Sequence, residues 1–232
     1  HLCHSDLPAL HKEGRTWVVS RTVMKIDTYA VWPQMINVRT WAQEPELFFF
    51  PRVTTAELGN ATPLFSAVTW WAVLDLSTER PIHPKEMVER FGVPPLDDDH
   101  PRYPARYKRY RGNVPEGLIP FSSTTPTPVY EDIDNNKHVN NVAYVQWLLD
   151  SLPPSFRSTY KASMLDVSWL QQVYLEDCLT LHATIHPAGQ DSACPHLHHT
   201  LTRQEKDGSE TLVWAAESYW KKRDSMVTGL VG

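Results

Sequence analysis

Residues 132–141, DIDNNKHVNN, run directly into VAYVQWLLDSL at 142–152, and the reading of this junction decides the fold. Read as extended chain, Asp134, Asn136 and His138 alternate, which points their side chains to one side of the backbone. Asn140 and Asn141 then supply a helix start. Val142, Val145, Leu149 and Leu152 follow at spacings of three, four and three, one helical face. Ala143, Tyr144, Trp147 and Leu148 occupy much of the remainder, and only Gln146 and Asp150 are plainly polar. The pattern predicts a helix over 140–152 that is buried nearly all round and stopped by Pro153 and Pro154. A carboxylate, an amide and an imidazole would then meet at a helix N-terminus. Unpaired N–H groups and the positive dipole end there favour a developing negative charge. Such an arrangement suits attack on a carbonyl or thioester.

The rest of the chain reads mainly as strands. Segments 15–26, 35–42, 46–56 and 64–76 in the first half, and 165–173, 178–186, 196–204 and 211–222 in the second, are rich in β-branched and aromatic residues. Each half shows an entering strand, a turn (YAVWPQ at 29–34, QVYLED at 172–177) and three further strands. Self-similarity at half the chain length predicts two copies of one fold. The copies differ at the front, because the first has no counterpart of the 140–152 helix. The simplest expectation is a first copy without its leading strand and helix, in a sequence that is itself incomplete. A buried helix in a β-rich unit implies a curved antiparallel sheet wrapped around it. That is the hotdog arrangement, so the expected class is α+β with two tandem hotdogs, over residues 1–80 and 118–232. Residues 81–117 then form a linker, with a short helix at Lys85–Phe91 ended by Gly92 and Pro94–Pro95.

Composition sets the bounds. The 232 residues carry a net charge of −5 and 41% hydrophobic residues, enough for an ordinary core and no argument for nucleic acid. Three cysteines, Cys3, Cys178 and Cys194, fit a reducing compartment better than a disulfide framework. No apolar run approaches the ~18 residues of a membrane span, and no signal peptide is recognisable in a chain that starts with His. Neither a Gly-x-Ser-x-Gly elbow, a phosphate loop nor a dinucleotide fingerprint is present, so no cofactor is expected. His182, His186, His196, His198 and His199 crowd the last strands, with Cys194 near two of them on one strand face. Without a Cys-x-x-Cys or His-Glu-x-x-His pattern they read as strand histidines, and no metal is expected.

DIDNNKHVNN with its following Tyr144 and Trp147 resembles the signature of the acyl-acyl-carrier-protein thioesterases. GRTWVVSRTVMKIDTYAVWPQ (14–34) and LDLSTERP (74–81) are similar to that family's N-terminal hotdog, in family order. The resemblance covers most of the chain. It implies hydrolysis of the thioester between a fatty acyl chain and the phosphopantetheine arm of acyl carrier protein, in the bacterial cytoplasm or, in a plant, the plastid stroma. A homodimer is compatible with it. Mapped by motif, the catalytic Asp, Asn and His fall on Asp134, Asn136 and His138, with the helix start at Asn140–Val142 polarising the thioester oxygen. Taken singly, the same residues serve equally as turn, cap and core groups.

One departure stands out. The family carries an acid, usually Glu before Cys, on the strand after the helix, and the matching positions here are Gln172 and Val173. An amide orients a water but cannot take its proton. An acyl-CoA thioesterase and a non-catalytic acyl-binding protein therefore stay open beside the carrier-protein hydrolase. Asn141, Trp17, Phe50 and Trp71 are candidates for contact with substrate, although strand alternation favours core packing for the aromatics. The carrier protein is acidic, so Arg102, Arg106, Lys108, Arg109 and Arg111 are candidates for docking it.

Overall fold

The computed structural model describes residues 7–78, 80–91, 99–100, 102–110, 114–189 and 192–223. Cys3, Gly92, Pro94–Pro95 and Arg111 lie outside the described residues. Two compact units are present, residues 1–112 with 165–170, and residues 113–164 with 171–232.

In the first unit β1 (Arg15–Ile26), β2 (Ile36–Ala42), β3 (Phe50–Leu58) and β4 (Pro63–Asp75) pair antiparallel in the order β2-β3-β4-β1. A two-residue strand, β5 (Arg80–Pro81), extends the end of β4. Alternate residues Val68, Trp70 and Ala72 of β4 are buried, as the pleat requires. Helices α1 (Leu7–Lys12) and α2 (Pro84–Phe91) close one end. There Leu10, Val73 and Met87 form a buried cluster packed by Trp17, Phe50 and Ile82. β3 begins at Phe50, not at 46 as the aromatic run suggested. Glu46 and Phe49 exchange two backbone hydrogen bonds of 2.9 Å across a tight turn, with exposed Leu47 at φ 56°. Arg21, 8% exposed, forks onto Asp166 of the 165–170 segment, Nε to Oδ1 at 2.7 Å and Nη2 to Oδ2 at 2.5 Å. Its guanidinium also lies 5.3 Å from the Trp70 ring centroid. The Pro84–Phe91 helix and residues 102–110, read from sequence as linker, fall within this unit.

The second unit contains β6 (Ile119–Thr124), α3 (Asn141–Ser151), α4 (Pro154–Thr159), the first half of β7 (Tyr160–Trp169, whose residues 165–169 count with the first unit), β8 (Leu179–Ile185), β9 (His196–Gln204) and β10 (Glu210–Lys222). Its sheet runs β6-β8-β9-β10-β7. The segment β8-β9-β10-β7 repeats the first unit's β2-β3-β4-β1 strand for strand, and β6 adds one more on the far side of β8. Helix α3 rests against β6 and β8, which makes an antiparallel sheet laid around a helix, the hotdog arrangement. Among the described residues the first unit has the sheet but only helices of 6 and 8 residues.

Two expectations need correction. β7 starts at Tyr160, five residues before the predicted strand, and ends at Trp169, because α4 delivers the chain straight into the sheet. Gln171 has already left the strand, and its N–H donates to Val213 at 3.0 Å. Helix α3 is not buried all round. Its inner stripe is Ala143, Tyr144, Leu148 and Ser151, whereas Val142 is 74% exposed. The apolar count was high enough to blur the phase of the helix. Ser151 sits on the inner face because its hydroxyl donates to the Leu148 carbonyl at 2.8 Å.

Candidate active site

Residues 134–138 form a closed turn, not the extended segment that strict alternation required. Ile133 and Val139 bridge its base. Within it the Asp134 N–H donates to the His138 carbonyl at 2.8 Å, and the Lys137 N–H to the Asp134 carbonyl at 3.0 Å. Asp134 Oδ1 accepts the N–H groups of Asn136 at 2.8 Å and His138 at 3.2 Å. Lys137 takes a left-handed conformation, φ 64°, which lets the chain reverse. An Asx turn of this kind uses the short carboxylate as a backbone mimic. Asp134 and Asn136 are exposed, while His138 is half-buried. The motif residues are therefore neighbours, gathered by the Asp134 carboxylate and not by strand geometry.

The turn is fastened to the loop after β7, where the Val139 N–H donates to the Val173 carbonyl at 2.8 Å. This brings Gln172 into the neighbourhood of His138 through Tyr174. The Tyr174 ring meets the His138 ring edge to face at 5.1 Å, and its hydroxyl donates to Gln172 Oε1 at 3.2 Å. Arg203 from β9 anchors the same loop by donating to the Gln172 carbonyl at 3.0 Å. Asp177 Oδ2 accepts the Tyr174 N–H at 2.9 Å and lies 3.6 Å from Arg203. Tyr144 reaches up from α3 beneath the loop, and burial pushes its hydroxyl well above the ordinary phenol range. Tyr174, Asp177 and Arg203 were not singled out from sequence. Tyr174 was detectable only by standing two places after Gln172; Arg203 becomes relevant only through its pairing opposite Leu179.

The electrostatics suit a neutral imidazole. Partial burial lowers the His138 pKa below its ordinary value, and the opposing pull of the Asp134 charge is smaller. A neutral ring at neutral pH can accept a proton. The helix start is less open than expected. Asn140 caps α3, its Oδ1 accepting the N–H groups of Val142 at 3.0 Å and Ala143 at 3.1 Å. Its Nδ2 donates to the Asp132 carbonyl at 2.8 Å. Asn141 N–H is the first-turn amide left without an acceptor among the described residues.

The remaining candidates lie in the first unit. Trp17 and Phe50 meet edge to face at 5.1 Å in the Leu10–Val73–Met87 cluster, and Trp71 stands opposite Phe50 in register. Along 102–110, Tyr103, Tyr107 and Tyr110 turn inward while Arg102, Arg106, Lys108 and Arg109 are exposed. Tyr107 anchors this segment by stacking on Phe49 at 3.8 Å and by a 3.1 Å hydroxyl contact with Ser20. Arg102 pairs with Glu44 at 2.5 Å. A cavity of about 310 Å³ lies beneath, lined by Glu44, Glu46, Arg102 and Arg106 together with Pro45, Pro51 and Pro104.

Fold and turn together define a double hotdog whose second unit presents a histidine beside a helix N-terminus. Residues 121–222, the bulk of that unit, match the family profile of the acyl-ACP thioesterase C-terminal domain. The palmitoyl-acyl carrier protein thioesterase of Cuphea hookeriana chloroplasts is 25% identical over 97% of this chain and 53% of its own length. The chain thus spans about half the length of the curated relatives it matches. The crystal structure of the 12:0-ACP thioesterase of Umbellularia californica superposes with TM-score 0.71 at 19% identity, over 93% of this chain and 78% of that one. A Lactobacillus plantarum protein, provisionally assigned as an oleoyl thioesterase, gives 0.74 at 20% identity over 94% and 80%. The likeness read from the sequence holds: the chain is similar in sequence to acyl-ACP thioesterases, shares their double-hotdog fold, and over residues 121–222 matches that family's C-terminal domain.

Proposed function

We propose that this protein hydrolyses the thioester of fatty acyl-acyl carrier protein, releasing free fatty acid and ending chain elongation. The observation that carries the reading is the half-buried His138, kept neutral by burial, in a turn next to Gln172 within the matched domain. Water attacks the thioester carbon as His138 takes its proton. The carbon–sulfur bond then breaks, and that proton passes to the leaving thiolate. Asn141 N–H stabilises the oxyanion, and Asn136 and the Gln172 amide hold substrate or water. Asp134 acts as the positioning group that shapes the turn and supplies negative charge to the imidazolium. Trp17, Phe50 and Trp71 would border the acyl chain, with 1–80 and 118–232 as the two hotdog domains and 81–117 between them.

Acidic acyl carrier protein would dock on Arg102, Arg106, Lys108, Arg109 and Arg111. The compartment is that of fatty acid synthesis, the cytoplasm of a bacterium or the stroma of a plant plastid. Among the described residues no helix is long and apolar enough to cross a membrane. A homodimer belongs to the same proposal and is read by light scattering.

Gln172 favours a second reading, a protein that binds acyl chains without turnover, because its amide cannot accept water's proton. Asp177, the nearby carboxylate of this loop, is held by the Tyr174 N–H and Arg203. The deciding experiment measures fatty acid release from a chain-length series on acyl carrier protein and on coenzyme A. Hydrolysis faster on the carrier protein and lost in His138→Ala supports the proposal. Binding of acyl carrier protein with no hydrolysis at any length establishes the second reading, and faster turnover of acyl-CoA reassigns the carrier.

A further inference from the structure

The face of β9 and β10 turned away from α3 carries a cluster that the thioester chemistry does not use. His198 stands opposite Glu217 in register, and His196 opposite Tyr219. These residues alternate with buried Leu197, His199, Ser218 and Trp220, so the four share the outer face. His196 Nε2 lies 2.9 Å from Glu217 Oε2, and the two imidazole centroids are 4.4 Å apart. One ligating atom from each of His196, His198 and Glu217 falls within 4.8 Å of the others.

We propose that His196, His198 and Glu217 bind a divalent metal ion of the zinc class on the outer face of the second unit's sheet. Two imidazoles and a carboxylate are a donor set suited to such an ion. Ligand bonds of about 2.0–2.1 Å in tetrahedral geometry put ligand atoms roughly 3.3 Å apart, within reach of small side-chain rotations here. The supports that orient metal ligands are also in place. The Tyr219 ring stacks on His196 at 3.9 Å and 11°, fixing its plane. The Tyr219 hydroxyl donates to Glu217 Oε2 at 3.0 Å, fixing the carboxylate. Cys194, placed nearby by sequence, is exposed and outside the cluster; Glu217 takes its place as the third ligand. Bound metal would clamp β9 to β10 and stabilise the unit without entering thioester hydrolysis.

The test uses the full chain stripped with chelator and titrated with Co2+, followed by visible absorption and then displacement with Zn2+. One saturable ion per chain with the spectrum of tetrahedral Co2+ is expected. Glu217→Gln and His198→Asn should each weaken binding by more than the roughly 10–100-fold that losing an outer-shell partner costs, and Tyr219→Phe by about 10-fold. His182→Asn, an exposed histidine on the neighbouring β8, should leave affinity unchanged. Zn2+ should raise the melting temperature of the unaltered chain but not of Glu217→Gln. Absence of a saturable ion overturns the proposal, as does unchanged affinity in either ligand variant with native circular dichroism. None of these readouts depends on hydrolysis.

Discussion

Replacing Asp134 separates shape from charge at the proposed site. Asp134→Ala removes the acceptor that holds the Asn136 and His138 amides at 2.8 and 3.2 Å. Asp134→Asn keeps an oxygen in the same place and removes only the charge. Each hydrogen bond contributes about 0.5–1.5 kcal/mol net, and the exposed setting argues for the lower half of that range. The pair then orders the turn by roughly 1–2 kcal/mol, a factor of about 5–30 in the population that presents His138 correctly. Asp134→Ala should therefore lower kcat/KM about 5–30-fold. Asp134→Asn should fall less and show a different signature. The Asp134 charge favours the protonated imidazole against the larger effect of burial, so removing it lowers the His138 pKa. A base with a lower pKa stays deprotonated to lower pH, and the acid limb of the kcat/KM profile should move to lower pH. The assay is fatty acid release from acyl-acyl carrier protein between pH 5 and 9, with both variants checked by circular dichroism. If Asp134→Asn loses as much activity as Asp134→Ala with the acid limb unmoved, Asp134 takes part in the chemistry itself and the positioning argument fails.

Other outcomes follow from local energetics. Asn140→Ala strips the cap from Val142 and Ala143 and should cost about 1–2 kcal/mol, read as faster hydrogen exchange of those two amides. Asp166→Ala leaves the buried Arg21 guanidinium uncompensated and should destabilise by about 3 kcal/mol, measured by urea unfolding. Complete burial pushes His199 down to about 3, whereas in the unfolded chain it titrates near ~6.5. Between those values only the unfolded chain binds the proton, so stability should fall on acidification, by up to ~1.4 kcal/mol per pH unit. His199→Gln should flatten the pH dependence of the urea midpoint in that window. Charge reversal of Arg106 and Arg109 should abolish salt-sensitive binding of acyl carrier protein, and unchanged affinity would remove that segment from the docking surface.

The amino-acid sequence alone determined a good deal. Period-two runs with β-branched and aromatic residues placed most strands within a residue or two, since alternation reports directly on which face a pleated strand buries. The repeated order of those runs announced the duplication before any pairing was known, and Asn140 was legible as a cap because its chemistry is local. Tertiary structure decided the rest. The phase of α3 depended on where β6 and β8 lie, because an almost uniformly apolar helix carries too weak a moment to select its own inner face. The DIDNNKH segment closed into a turn since Asp134 could satisfy two backbone amides there, a choice alternation cannot express. Tyr174 between His138 and Gln172, and Glu217 beside two histidines, arise from loops and strands meeting across long separations in the chain. Contacts of that kind are made by packing, and no local pattern encodes them.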